Sequence, residues 1–134
     1  MIPDAETLAV AWAKADTALD PLLHGRIATR LPKDWASPFL RVVMIEGDIE
    51  TEADVGTAML QWDAYAHAPA GDTPDYAAAS LVARTLMRQA QLWAPGAIAG
   101  SFLYGFGAIT GPKRVEETDT GWARYMVEMH ASIR

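Results

Sequence analysis

The chain has 134 residues, 11 Lys and Arg against 17 Asp and Glu, a formal charge of -6, and 51% apolar residues. That is the size and balance of one domain folding on one core, and residues 1–134 read as a single unit with no repeat, low-complexity tract or linker. With no cysteine, disulfide scaffolds, thiolate metal sites and cysteine nucleophiles are excluded, and the acidic balance opposes a ligand gripped through phosphates. No stretch reaches the roughly 18 apolar residues of a membrane span, and the first 15 residues lack the pattern of a signal peptide, so a cytosolic product with an intact N-terminus and no membrane partner is expected.

Asp4, behind Pro3 and ahead of Glu6, predicts a helix start. Leu8, Trp12, Ala15 and Leu19 then share one helical face, and Asp20-Pro21 is the predicted stop. Residues 25–31 alternate Ile27, Thr29 and Leu31 against Arg26, Ala28 and Arg30, which predicts a half-buried strand with a basic outer face ending at Pro32. The run from Phe39 through Ile45 is apolar on both faces, as in an interior strand, with Glu46-Gly47-Asp48 as its predicted end.

Residues 57–66 alternate Ala58, Leu60, Trp62 and Ala64 against Met59, Gln61, Asp63 and Tyr65, predicting a third strand. Thr73 as cap and Pro74 at the first helical position open a helix that runs to about Trp93. Its packing stripe is Ala79, Val82, Leu86, Ala90 and Trp93, and Ala94-Pro95-Gly96 stops it. Glycines at 100, 105, 107, 111 and 121 argue against helix thereafter. A strand over residues 107–118, broken at Gly111-Pro112, should pair in a hairpin with residues 122–133, where Ala123, Tyr125, Val127, Met129 and Ala131 alternate with Trp122, Arg124, Met126, Glu128 and His130. The predicted class is α+β: a mainly antiparallel sheet of about five strands with two helices on one face, in the order α-β-β-β-α-β-β.

Chemical motifs are sparse. The acidic run Glu46, Asp48, Glu50, Glu52 and Asp54 invites a calcium reading, but an EF-hand loop from Asp48 would need Gly and Glu where Ala53 and Met59 stand. It reads instead as a solvated loop available to a basic partner. In residues 105–111 the third glycine is one place too late for a dinucleotide fingerprint, and Pro112 stands where the helix should begin. His24, His67 and His130 have no ligand partner at metal spacing, and no GxSxG surrounds Ser37, Ser80, Ser101 or Ser132. No catalytic residue, metal or cofactor is expected, although a small ligand-binding module or enzyme remains the competing class. Asp63 reads as an outward strand residue or as a buried functional carboxylate. Trp35 and Trp122 fall off the predicted core faces and read equally as interface anchors or as lids over the core edge.

The succession Gly25-Arg26-Ile27-Ala28-Thr29-Arg30-Leu31-Pro32 and Pro38-Phe39-Leu40-Arg41-Val42 resembles the opening strands of the tail terminator, or tail completion, proteins of bacteriophages with long non-contractile tails. Gln61-Trp62-Asp63-Ala64-Tyr65 resembles the third strand of that family, and Gly111-Pro112 with Trp122-Ala123-Arg124-Tyr125-Met126-Val127 resembles its closing hairpin. The resemblance implies a non-enzymatic virion protein assembled in the host cytoplasm. It implies a hexameric ring on the head-proximal end of the tail tube, touching the tube protein on one side and head-completion or neck proteins on the other, with DNA only as passing cargo. A neck or head-closure protein is the neighbouring alternative. Closed rings need two different patches per protomer. Opposite charge nominates Arg26, Arg30 and Arg41 for one patch. The acidic run, or Glu116, Glu117 and Asp119, is the other, with Trp35 and Trp122 as anchors.

Overall fold

A computed structural model describes residues 4–50, 55–69, 73–116 and 121–134. Helix α1 (Ala5–Ala15) starts as expected: the Asp4 carboxylate accepts the Glu6 N–H at 3.0 Å and the Thr7 hydroxyl at 2.8 Å. It ends four residues before the predicted stop because the Asp16 side chain accepts the N–H groups of Ala18 and Leu19 and turns the chain. Asp20-Pro21 therefore opens a short helix, α2 (Asp20–Leu23), instead of closing the first one. Ala15 is exposed, and the buried face of α1 is Ala5, Leu8, Ala9, Trp12 and Ala13.

The strand expected over residues 25–31 shrinks to β1 (Ile27–Ala28). Only these two residues find a partner, and the pairing with Leu40 and Arg41 is parallel. β2 (Phe39–Glu50) outlasts its predicted end: a bulge between Met44 and Glu46 shifts the register, and pairing with β3 (Val55–Ala66) continues to Glu50 opposite Val55. The segment read as a loop is thus in part a strand.

α3 (Tyr76–Leu92) is capped by Asp75, whose carboxylate accepts the Ala78 N–H at 3.1 Å; Thr73 and Pro74 stand before the helix. The predicted stripe Ala79, Val82, Leu86 and Ala90 is buried, and Trp93 ends the helix, its indole N–H donating to the Leu103 carbonyl at 3.0 Å. β4 (Gly96–Ile98), absent from the sequence reading, turns back into β5 (Ser101–Val115) through Ala99 and Gly100, both at positive φ. β6 (Ala123–Ile133) pairs with β3 on one side and β5 on the other.

The result is α+β with a six-stranded sheet in the order β1-β2-β3-β6-β5-β4, mainly antiparallel as expected but mixed because β1 runs parallel to β2, with six strands where about five were expected and three helices where two were. The helices bury one face of it. Leu8, Trp12, Leu40, Leu60, Trp62, Leu86, Val127 and Met129 form a continuous core in which Trp12 meets Trp62 edge-on at 5.9 Å and Phe106 at 4.6 Å. Each such side chain contributes about 1.5–3 kcal/mol by leaving water.

Candidate subunit interface

The sheet face away from the helices carries the polar half of the alternation predicted for β3 and β6. Registered rows cross it: Phe39, Tyr65 and Arg124; Arg41, Asp63 and Met126; Val43, Gln61 and Glu128; Glu46, Met59 and His130. At its centre Asp63 is fully buried. One oxygen accepts Arg124 Nε at 2.9 Å, and the other accepts Arg41 Nη2 at 2.7 Å and Gln61 Nε2 at 3.2 Å. Both guanidinium groups also lie over the Tyr65 ring, with centroid distances of 5.9 and 5.7 Å. Asp63 does stand on the outward face, as the first reading has it, but it is buried there, and its partners give it a structural role bracing three neighbouring strands.

Beside this network sits a second cluster. The ten residues between β1 and β2 cross the same face, and Trp35 packs there against Phe39, Tyr65, His67 and Trp122. Trp35 is 8% exposed, and its ring centroid lies 5.2 Å from that of half-buried Trp122. The lid reading therefore describes Trp35, and it is not available as an exposed anchor. The backbone N–H of His67 donates to Ser37 Oγ at 3.0 Å and holds the crossing segment down.

The expected basic patch does not assemble. Half-buried Arg26 donates to the carbonyls of Pro38 at 2.9 Å and Leu22 at 3.4 Å, Arg41 is engaged by Asp63, and only Arg30 is exposed. The reason is the shortness of β1: past Ala28 the chain bends, so Arg26 and Arg30 do not share a strand face. On the acidic side, Glu46 is exposed on β2, and Asp48 and Glu50 belong to the same strand. Glu52, Asp54, Glu117 and Asp119 lie outside the described residues. Glu116 is exposed, bonded to Arg114 Nε at 3.2 Å and to the Tyr76 hydroxyl at 3.4 Å.

Arg124 and Lys113 were missed by sequence reasoning. Arg124 occupies an outward place in the predicted alternation of residues 122–133, so its position was legible; the carboxylate it would reach was not. Among the described residues no three His, Cys, Asp or Glu side chains gather as a metal site, and no helix is long and apolar enough to cross a membrane. A shallow depression lined by Glu46, Gly47, Thr57, Met59 and His130 lies at the acidic end of the open face.

No protein-family profile matches this chain, and no curated protein sequence matches it. Among solved structures it is similar to a chain of the virion of a native gene transfer agent particle, with a TM-score of 0.70 over 96% of this chain and 93% of that one. Sequence identity is 12%, so the likeness is one of fold.

Proposed function

We propose that this chain is a structural virion protein that caps the head-proximal end of a tail tube as a ring, ending tube growth and offering a surface for head joining. The observation that carries the reading is the near end-to-end fold likeness to a chain of a gene transfer agent virion, 96% of one chain against 93% of the other. The resemblance of its strand segments to tail terminator proteins supports the finer position within the particle. Its charge of -6 suits a ring through which DNA must pass without adhering, because an acidic wall repels phosphate. The open sheet face supplies rigid, registered surface for neighbours, and the reading requires no reaction.

The test is assembly with tail tubes made without heads. The chain is expected at one end of each tube, with tube length becoming uniform when it is present. Attachment only to head-side complexes would move it to the neck. Absence from both would overturn a role at the head–tail junction.

A further inference from the structure

β1 covers β2 only at Leu40 and Arg41, and the next outward N–H, that of Met44, is taken by the Glu6 carboxylate at 2.8 Å. From Ile45 to Glu50 no described strand lies on that side of β2. At the opposite border, β4 covers β5 only from Ser101 to Leu103, and no described strand lies on that side from Tyr104 to Val115. The two covering strands lie at opposite ends of the sheet: β1 sits at Leu40, level with Ala64 and Tyr125, and β4 at Leu103, level with Ile133, Gly56 and Ile49. The open part of β2 is thus at the β4 end, and that of β5 runs on to the β1 end, where Lys113 is level with Met126, Asp63 and Arg41. Open edges are templates for another strand.

We propose that the open end of β2 pairs with the open end of β5 from a second copy of this chain, with Glu46 of one copy opposite Lys113 of the other. The proposal deepens the ring reading and rests on it for the rotation that relates the copies. Three antiparallel steps separate β2 from β5, so the two strands run in opposite directions, and a copy rotated about an axis near the strand direction presents them antiparallel. Because β1 and β4 occupy opposite ends, the copies meet with a stagger along the strands. Such stagger is what closed, tilted sheets require.

Charge picks β5 as the occupant. The β2 end carries Glu46 with Asp48 and Glu50 in the same strand. Lys113 on β5 is exposed and makes no ion pair among the described residues, whereas Arg114 is occupied by Glu116 and the Tyr76 ring. Glu46 pairs with Met59, and Lys113 with Met126 opposite Asp63, so both side chains belong to the same sheet face. Met44 and Ile45, 45% and 48% exposed, give this border apolar surface to bury.

Sedimentation of Glu46→Lys, Lys113→Glu and the double variant at low and moderate salt tests this. Wild-type chain should associate, each single reversal should weaken association roughly three- to tenfold at low salt, and the double reversal should return to within about twofold. Circular dichroism checks that each variant folds, as expected for two exposed positions. Wild-type-like assembly of the single variants, or a double variant as weak as either single, overturns this contact while leaving the ring intact. A wild-type chain that stays monomeric at every concentration also overturns it, and the virion role is then decided separately by tube capping.

Discussion

The two faces of the sheet are held by different physics. Under the helices, Trp62 is fully buried among Trp12, Leu8, Leu60 and Leu86, and stability comes from apolar area removed from water. On the open face, one position along the same strand, Asp63 is buried to the same degree, and what holds it is two arginines and a glutamine. Their tolerance of change differs accordingly. An apolar face tolerates swaps of similar volume, whereas a buried charge tolerates no loss of a single partner.

The largest expected effects come from opposing members of this pair. Trp62→Ala should cost about 3–5 kcal/mol through lost burial and a cavity, read by urea denaturation. Asp63→Leu should cost a similar amount, about 3–5 kcal/mol, because it leaves Arg41 and Arg124 together without their carboxylate. Rescue separates the two faces. Adding Arg41→Met and Arg124→Met to Asp63→Leu should recover most of that loss, since an apolar trio needs no pairing. A triple variant as unstable as Asp63→Leu alone would show that the arginines hold the face through contacts other than the carboxylate.

The same two faces were not equally legible. Periodicity alone gave the buried stripe of α3, the inward residues of β3 and β6, and the cap at Asp4, because each depends on local spacing. The open face depends on which strands become neighbours, and nothing local tells Asp63 that Arg41 and Arg124 stand 22 positions before it and 61 after it. The acidic end of β2 held a period-two signal, Ile45, Gly47 and Ile49 against Glu46, Asp48 and Glu50, which its charge disguised as loop. Conversely, the alternation of residues 25–31 does not survive folding: the chain pairs only at Ile27 and Ala28 and bends beyond them, leaving Thr29 exposed. β4 was hidden because its tight turn uses Ala99-Gly100 in place of the usual Asn-Gly.

A smaller effect is expected where the faces meet through the backbone. Gly111 sits at φ 119°, and a Cβ there would lie 2.8 Å from the Met126 carbonyl oxygen and 3.4 Å from Val127 Cα. Backbone cannot swing aside as a side chain can, so Gly111→Ala should cost about 1–3 kcal/mol. The damage should spread to both faces, since Met126 and Val127 point to opposite sides of β6. Hydrogen exchange resolved along β6 is the measurement, and wild-type protection around Met126 and Val127 would contradict the assignment.

The smallest effect sharpens the contrast between two carboxylates, buried Asp63 and exposed Asp4. The Thr7 hydroxyl holds Asp4 below its ordinary carboxylate value; burial opposes it, and the N–H groups of Glu6 and Thr7 add to the lowering. A carboxyl whose folded value is depressed stabilises the fold above its unfolded value and loses that contribution as pH falls through the folded one. Asp4→Ala should therefore cost about 0.5–1 kcal/mol at neutral pH, the ordinary worth of an N-cap. The gap from wild type should close on acidification below about pH 4. Asp4→Asn keeps an acceptor for the helix N-terminus without the charge, so it should lie between the two at pH 7 and show none of the acid dependence assigned to this group. If the Asp4→Ala gap instead stays constant down to pH 2, the cap acts through geometry alone and the charge at the start of α1 adds nothing.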